Sequence, residues 1–541
     1  MSAELDHEAV IIGAGFAGLR MLHECRELGL SARVLEAGTD IGGTWYWNRY
    51  PGARTDTESW AYCFRFDQDL LDEWEFVERF PSQPQVHKYL TAVATKHEMF
   101  KDIALGTRVT SARWNEDSNT WEVGTNTGET LRCRWLISGS GLLSTPLEIP
   151  FPGRESFHGE ILMSNRWPKD EVSFAGKRVA VVGTGASAVQ IIPEVAHVAE
   201  HLTVFQRTPN YVMPGRNYLV GERQREWIRN NHSYLWDLCE TQVFAFPWTT
   251  ENRFWNDTDP EKRERIFDRG WEQGGFQFAF KTYDDMLVVK ECNDAASEYV
   301  RNKIRAIVDD PETAENLCPK DHPIFSKRTP LGHFYYETYN RPNVSLVPVK
   351  NNPIVEIVPT GVKTADGVVH DVDMIIFALG FDAVTGALMA LDLQGKGGVS
   401  IQERWAEGAE TYLGVAVDGF PNLFSIIGPQ TSFTNIPPTI EKQAIFIGQA
   451  IHRARSMGSN VVEARPEAVK EWAGTCEAVL NMTLLPTGDA ASWFLGTNVE
   501  GKKSNVLFFF GGAAPYYVML DAAVADGFPG LVMEPGLEPA R

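Results

Sequence analysis

The sequence predicts an α/β protein with two Rossmann-like dinucleotide-binding domains and a helical insert in the second. Three observations carry this. Two stretches, beginning at Glu8 and Arg178, each read strand, glycine-rich turn, helix, strand. From about 217 to 330 the glycine loops stop and the pattern becomes helical and charge-rich. The expected limits are 1–145 and 380–541 for the first domain, 146–216 and 331–379 for the second, and 217–330 for the insert. A chain of 541 residues has mass for several such units.

In the first stretch, Glu8-Ala9-Val10-Ile11-Ile12 is a short apolar run ended by glycine, the mark of a buried parallel strand. Gly13 and Gly15 permit a tight turn and close approach of backbone to a pyrophosphate, and Phe16 follows them into the helix. Gly18 lets that helix pack on the strand, with its N-terminal amides toward the phosphates. The next strand, 32–35, ends in Glu36, placed to accept a hydrogen bond from a ribose hydroxyl. These residues bind a dinucleotide but do not by themselves separate FAD from NAD.

The second stretch repeats the plan with a different ending. The strand 178–182 leads into Gly183-Thr184-Gly185-Ala186-Ser187-Ala188, with alanine at the third small position. The following strand, 202–205, runs into Gln206-Arg207-Thr208. A carboxylate there would repel a 2′-phosphate; a guanidinium holds one bidentately and threonine adds a further bond. The second nucleotide is therefore expected to be NADPH. Residues 113–123 and 130–137 read as a hairpin and a return strand, and a similar apolar strand recurs at 374–382.

Two further motifs give the chain a family likeness. Gly42 to Asp56, GGTWYWNRYPGARTD, matches GGxWxxxx(F/Y)PGxxxD at every specified position. Phe157, Gly159, Trp167 and Pro168 match F-x-G-x-x-x-H-x-x-x-W-P, with Met163 where that pattern has histidine. On these residues the chain resembles the Baeyer–Villiger monooxygenases. The resemblance places FAD in the first domain, against Gly43, Thr44, Trp45, Asp56, Tyr62 and Val109. Lys327 matches a second contact to the 2′-phosphate, and Trp493 lies in a loop that closes over NADP. Glu500 replaces that loop's usual proline, and Leu379 replaces a threonine in an A-T-G-F-D element. Arg328 corresponds to the catalytic arginine, with Asp56 holding it; Leu142, Phe246, Phe278, Phe433, Thr434 and Ile436 fall at substrate-cavity positions. Tyr335 to Asn340 matches a Y-Y-E-x-x-N strand.

The implied activity is NADPH- and O2-dependent conversion of ketones, cyclic ones foremost, to esters or lactones through a C4a-peroxyflavin. The alternative is a flavin N- or S-hydroxylating monooxygenase, which shares both glycine loops. A dinucleotide-dependent disulfide reductase is excluded, because no CxxxxC pair exists among the cysteines at 25, 63, 133, 239, 292, 318 and 476. That odd, unpaired set gives no metal-ligand spacing and suits a reduced cytoplasmic protein. With 50 basic against 71 acidic residues the formal charge is −21, which disfavours nucleic acid and anionic membranes as partners. No apolar run reaches the ~18 residues of a membrane span. The expected partners are a small ketone and O2, the expected state a monomer or weak oligomer, and residues 529–541 a loose tail.

Overall fold

The structure, a computed structural model, describes residues 4–488, 492–499 and 501–535. Two sheets organise it. The first runs, in spatial order, Asp392–Gln394, Val109–Asn115, Thr120–Thr125, Thr130–Ser138, His7–Ile12, Ala32–Leu35 and Ile103–Ala104, with Leu423–Ser425 also paired to Thr130–Ser138. The second is five-stranded and wholly parallel: Val344–Pro348, His201–Gln206, Arg178–Val182, Met374–Phe377 and Glu160–Met163. Both central strands carry apolar runs because both faces are covered; in the second sheet helix Ala186–Val198 packs on one face and strands Ile354–Val358 and Gly361–Thr364 on the other. In the first sheet the register pairs Val10 with Arg33 and Leu136; in the second it pairs Phe377 with Val182 and Met163.

The fingerprint stretch thus becomes the edge strand of the second sheet. Gly159 is required there, since a Cβ would meet the Asp373 carbonyl at 2.2 Å and the Phe157 ring at 2.6 Å. Met163 ends the strand half-buried, and Trp167 beyond it is buried against Phe174.

Two expectations change, and the insert divides its packing between the two units. Its first helices, Glu222–Asn230 and His232–Thr241, bury Ile228, Leu235 and Trp236 in the core of the first unit. Pro260–Gln273, Lys290–Ile307 and Pro311–Leu317 bury their apolar stripes in the core of the second. An amphipathic helix buries its stripe against whichever apolar surface lies nearest, and here two surfaces are in reach. Residues 337–340 form a 3-10 turn instead of a strand, entered through Phe334 at φ 65° and closed by the Thr338 amide donating to the Phe334 carbonyl. The expected loose tail contains a strand, Leu531–Pro535, antiparallel to Ser459–Ala464, which satisfies its backbone groups. Residues 536–541 and Glu500 lie outside the described residues.

All seven cysteines are buried free thiols. No helix among the described residues is long and apolar enough to cross a membrane.

Candidate active site

Residues of both units and of the insert line one cavity of about 990 Å³. Its floor is the first glycine turn. Gly13, Gly15 and Phe16 line it, and Gly15 faces Gly43 so closely that a Cβ on either would lie 3.0–3.3 Å from the other backbone. Gly18 sits behind them: a Cβ there would be 1.8 Å from the Gly13 carbonyl, so only glycine lets the helix approach the strand. Glu36 is buried on the wall, its carboxylate accepting from the Ala14 amide at 2.7 Å and the Gly38 amide at 2.6 Å. Burial pushes its carboxyl up and those two amides oppose the shift.

Thr44, Trp45, Tyr62 and Val109 also line the cavity. The Trp45 indole donates to the Tyr62 hydroxyl at 3.3 Å, and the Phe16 ring meets Tyr62 edge-on at 5.2 Å. Burial pushes the Tyr62 phenol up to about 12, so it stays neutral. From the second unit, Ala186 and Ser187 reach the wall at the helix start. Gly183, Thr184, Gly185, Arg207 and Thr208 do not line it; Gly185 and Arg207 are exposed, and the buried Thr184 donates its hydroxyl to the Thr208 carbonyl at 3.3 Å. Lys327 lines the cavity. Its ammonium is pulled below the usual lysine range, first by burial and further by the nearby Arg207 charge, while Asp321 opposes.

The two residues expected to be catalytic meet across the interface. Arg328 Nη1 forms an ion pair with Asp56 Oδ2; the Asp56 side chain is 6% exposed and that of Arg328 27%. Among the described residues the other Asp56 oxygen is buried without a partner, as is Oδ1 of Asn435 on the same wall. The Arg328 guanidinium carbon lies 5.7 Å from the Phe276 ring centroid. Next to this pair, the Tyr50 hydroxyl donates to Gln190 Oε1 at 3.0 Å, joining the Gly42–Asp56 stretch to the helix Ala186–Val198.

Of the expected substrate positions, Leu142, Phe246, Phe433, Thr434 and Ile436 line the cavity, and Trp493 does so beside Phe433 at 6.3 Å between ring centroids. Phe278 does not. It is fully buried among Phe267, Trp271 and Tyr299. Phe276 and Phe280, four residues apart and on one helical face, line the wall in its place, with Phe244 stacked on Phe280 at 4.4 Å. The spacing of aromatics at 276, 278 and 280 shows that one face is apolar without showing which.

Residues 6–222 match a family model described as flavin-binding monooxygenase-like. A Baeyer–Villiger monooxygenase of Pseudooceanicola batsensis is 40% identical over 531 residues, 98% of this chain and 96% of that one. A phenazine N-monooxygenase of Lysobacter antibioticus is 41% identical over 528 residues, 97% of each chain. The crystal structure of cyclohexanone monooxygenase from Rhodococcus sp. Phi1 bound to NADP+ superposes with a TM-score of 0.95 at 40% identity, covering 98% of this chain and 99% of that one.

This chain belongs to the Baeyer–Villiger monooxygenases. As a member of that family it departs at Met163, whose thioether has no hydrogen to donate at the edge strand of the second sheet. The cavity of this monooxygenase fits a flavin dinucleotide on its own chemistry. A glycine cradle faces a carboxylate fixed by two amides, and buried acceptors on the wall await donors.

Proposed function

We propose that the protein is an FAD-containing, NADPH- and O2-dependent monooxygenase that converts ketones to esters or lactones. The observation that supports this most is the Asp56–Arg328 ion pair on the wall of the cavity that both units share. Glu36 with the Gly13–Gly18 turn and the Gly43–Trp45 loop would hold FAD. Arg207, Thr208 and Lys327 would hold the 2′-phosphate of NADPH. Bound flavin, reduced by NADPH, supplies the redox chemistry that activates oxygen.

The residues of the chain do the rest. Arg328 presents its guanidinium toward negative charge developing on the substrate oxygen. Asp56 fixes that guanidinium with one oxygen and keeps the other free for a donor on the bound cofactors. Phe244, Phe246, Phe276 and Phe280 form a wall without polar side-chain atoms, which excludes water from the reacting end and accepts an apolar ketone.

A second reading has one observation in its favour, the phenazine N-monooxygenase among the relatives. An aromatic wall takes a flat heterocycle as readily as a ketone, and an N-oxide would then be the product. The test is aerobic NADPH consumption by the purified yellow protein with cyclohexanone or with phenazine, products identified by mass. Ester from the ketone is the expected result. N-oxide from phenazine, with only hydrogen peroxide from a ketone panel, would overturn the first reading in favour of the second.

A further inference from the structure

Behind the cavity wall lies a buried ion pair that the chemistry above does not use. Arg79 and Glu58 are 5% and 1% exposed at their side chains. Arg79 donates to Glu58 Oε1 from Nε at 3.2 Å and from Nη2 at 2.8 Å. The same guanidinium donates from Nη1 to the Gln273 carbonyl at 2.8 Å and from Nη2 to the Gly274 carbonyl at 3.4 Å. Burial pushes the Glu58 carboxyl up and the Arg79 charge opposes it. A buried pair is weak evidence for stability, because desolvation consumes most of the attraction. Its position is what matters.

Glu58 is two residues from Asp56, on a segment held to 79–83 by backbone bonds. The Thr55 amide donates to Pro81 and the Ser59 amide to Arg79. Gln273 and Gly274 end the helix Pro260–Gln273, and the chain turns through Gly274 and Gly275, at φ 66° and 63°, directly into Phe276. A Cβ on Gly275 would lie 2.9 Å from Arg79 Nη2. Phe276 in turn lies against the Arg328 guanidinium. One guanidinium therefore grips both sides of the catalytic pair: the segment that carries Asp56, and the helix end that carries the ring beside Arg328.

We propose that Arg79, balanced by Glu58, is a positioning residue that sets the spacing between Asp56 and the Phe276 face of the insert, and so holds Arg328 in its productive place. This rests on the oxygenase reading above. The planar fork of arginine reaches a carboxylate and two carbonyls at once; a lysine ammonium keeps the charge and loses that geometry.

The test uses the FAD-loaded full chain in two variants. Arg79→Lys preserves charge balance. Glu58→Gln with Arg79→Met removes both charges, so that no lone buried charge unfolds the protein. For each, FAD content, thermal midpoint, NADPH oxidation, oxygenated product and hydrogen peroxide are measured. The expected result is native FAD content, a nearly unchanged ketone KM, and product per NADPH lowered roughly tenfold, peroxide making up the balance. The double variant is expected to recover the thermal midpoint without recovering the product yield. Native product yield in either FAD-loaded variant would overturn the proposal, because a merely structural pair is rescued by charge removal. If the native protein oxygenates phenazine and not a ketone, the substrate reading fails separately, and the clasp is then judged on N-oxide per NADPH.

Discussion

The two nucleotide-binding units share one plan and part company at two residues. Each turns from a central strand into a helix through Gly-x-Gly. In the first, the third small residue must be Gly18, where a Cβ would sit 1.8 Å from a backbone carbonyl; in the second, Ala188 occupies that place, fully buried. The first unit ends its second strand in Glu36, buried and already held by two amides. The second ends it in Arg207, exposed. The first site is thus built into the interior before any ligand arrives, while the second lies open. That difference suits a nucleotide retained through many turnovers beside one that must be exchanged in each.

Gly18→Ala and Ala188→Gly should separate the two units most widely. The first should yield colourless protein, since the helix can no longer approach the strand. The second should keep its flavin and lose only about 0.5–1 kcal/mol in denaturant unfolding. Equal flavin retention in the two would remove the asymmetry. At the interface between the units, Arg328→Ala should cost ~10²–10³ in the rate of product formation with FAD still bound, and Asp56→Ala less; a native rate in the arginine variant would rule out its role. Arg207→Ala should raise the NADPH KM about tenfold and spare bound FAD, because it removes a charge-assisted contact on the open side alone. Loss of flavin instead would mean the two units are assigned the wrong way round.

Acid should separate the units. Burial pulls His23, His232 and His333 from 6.5 down to about 4. Their folded values lie below the unfolded one, so the stability they contribute is complete above about pH 6.5 and is lost as pH falls toward 4. His23 lies on a helix of the first unit and His232 on a helix packed into its core, whereas His333 alone of the three lies at the second core, beside Phe80. Flavin fluorescence should therefore rise in that window before the second core melts, as read by far-ultraviolet circular dichroism; simultaneous loss would contradict it. The smallest effect expected is that of Met163→His, a modest fall in the peroxide share of NADPH consumption. No change in that share would make position 163 passive packing.

What could be read from the chain beforehand follows the range of the interactions. The glycine turns and the opposed endings Glu36 and Arg207 are local, and the strand at 32–35 has the limits expected of it. The pairing of Asp56 with Arg328 joins segments far apart, and only the motif around each pointed to it. Phe278 was the wrong member of its own short helix, because alternation of aromatics at 276, 278 and 280 does not choose a face. Arg79 and Glu58 left no signal: lone charged residues in a sequence read as solvated, and only the fold shows that these two are not.

The strand Leu531–Pro535 has a consequence for how the molecule is made. It pairs with Ser459–Ala464, and helix Ile436–Ser456 lies against helix Phe16–Glu27, where Arg20 meets Glu441 across 421 residues. The first unit therefore cannot close until residues 531–535 have left the ribosome, whereas all five strands of the second sheet are present once residue 377 has emerged. Synthesis proceeds from the N-terminus, and closing a long loop delays the contacts that depend on it. The nested unit is the one that can form first, and the first unit waits for residues 423–535 to complete its sheet and core.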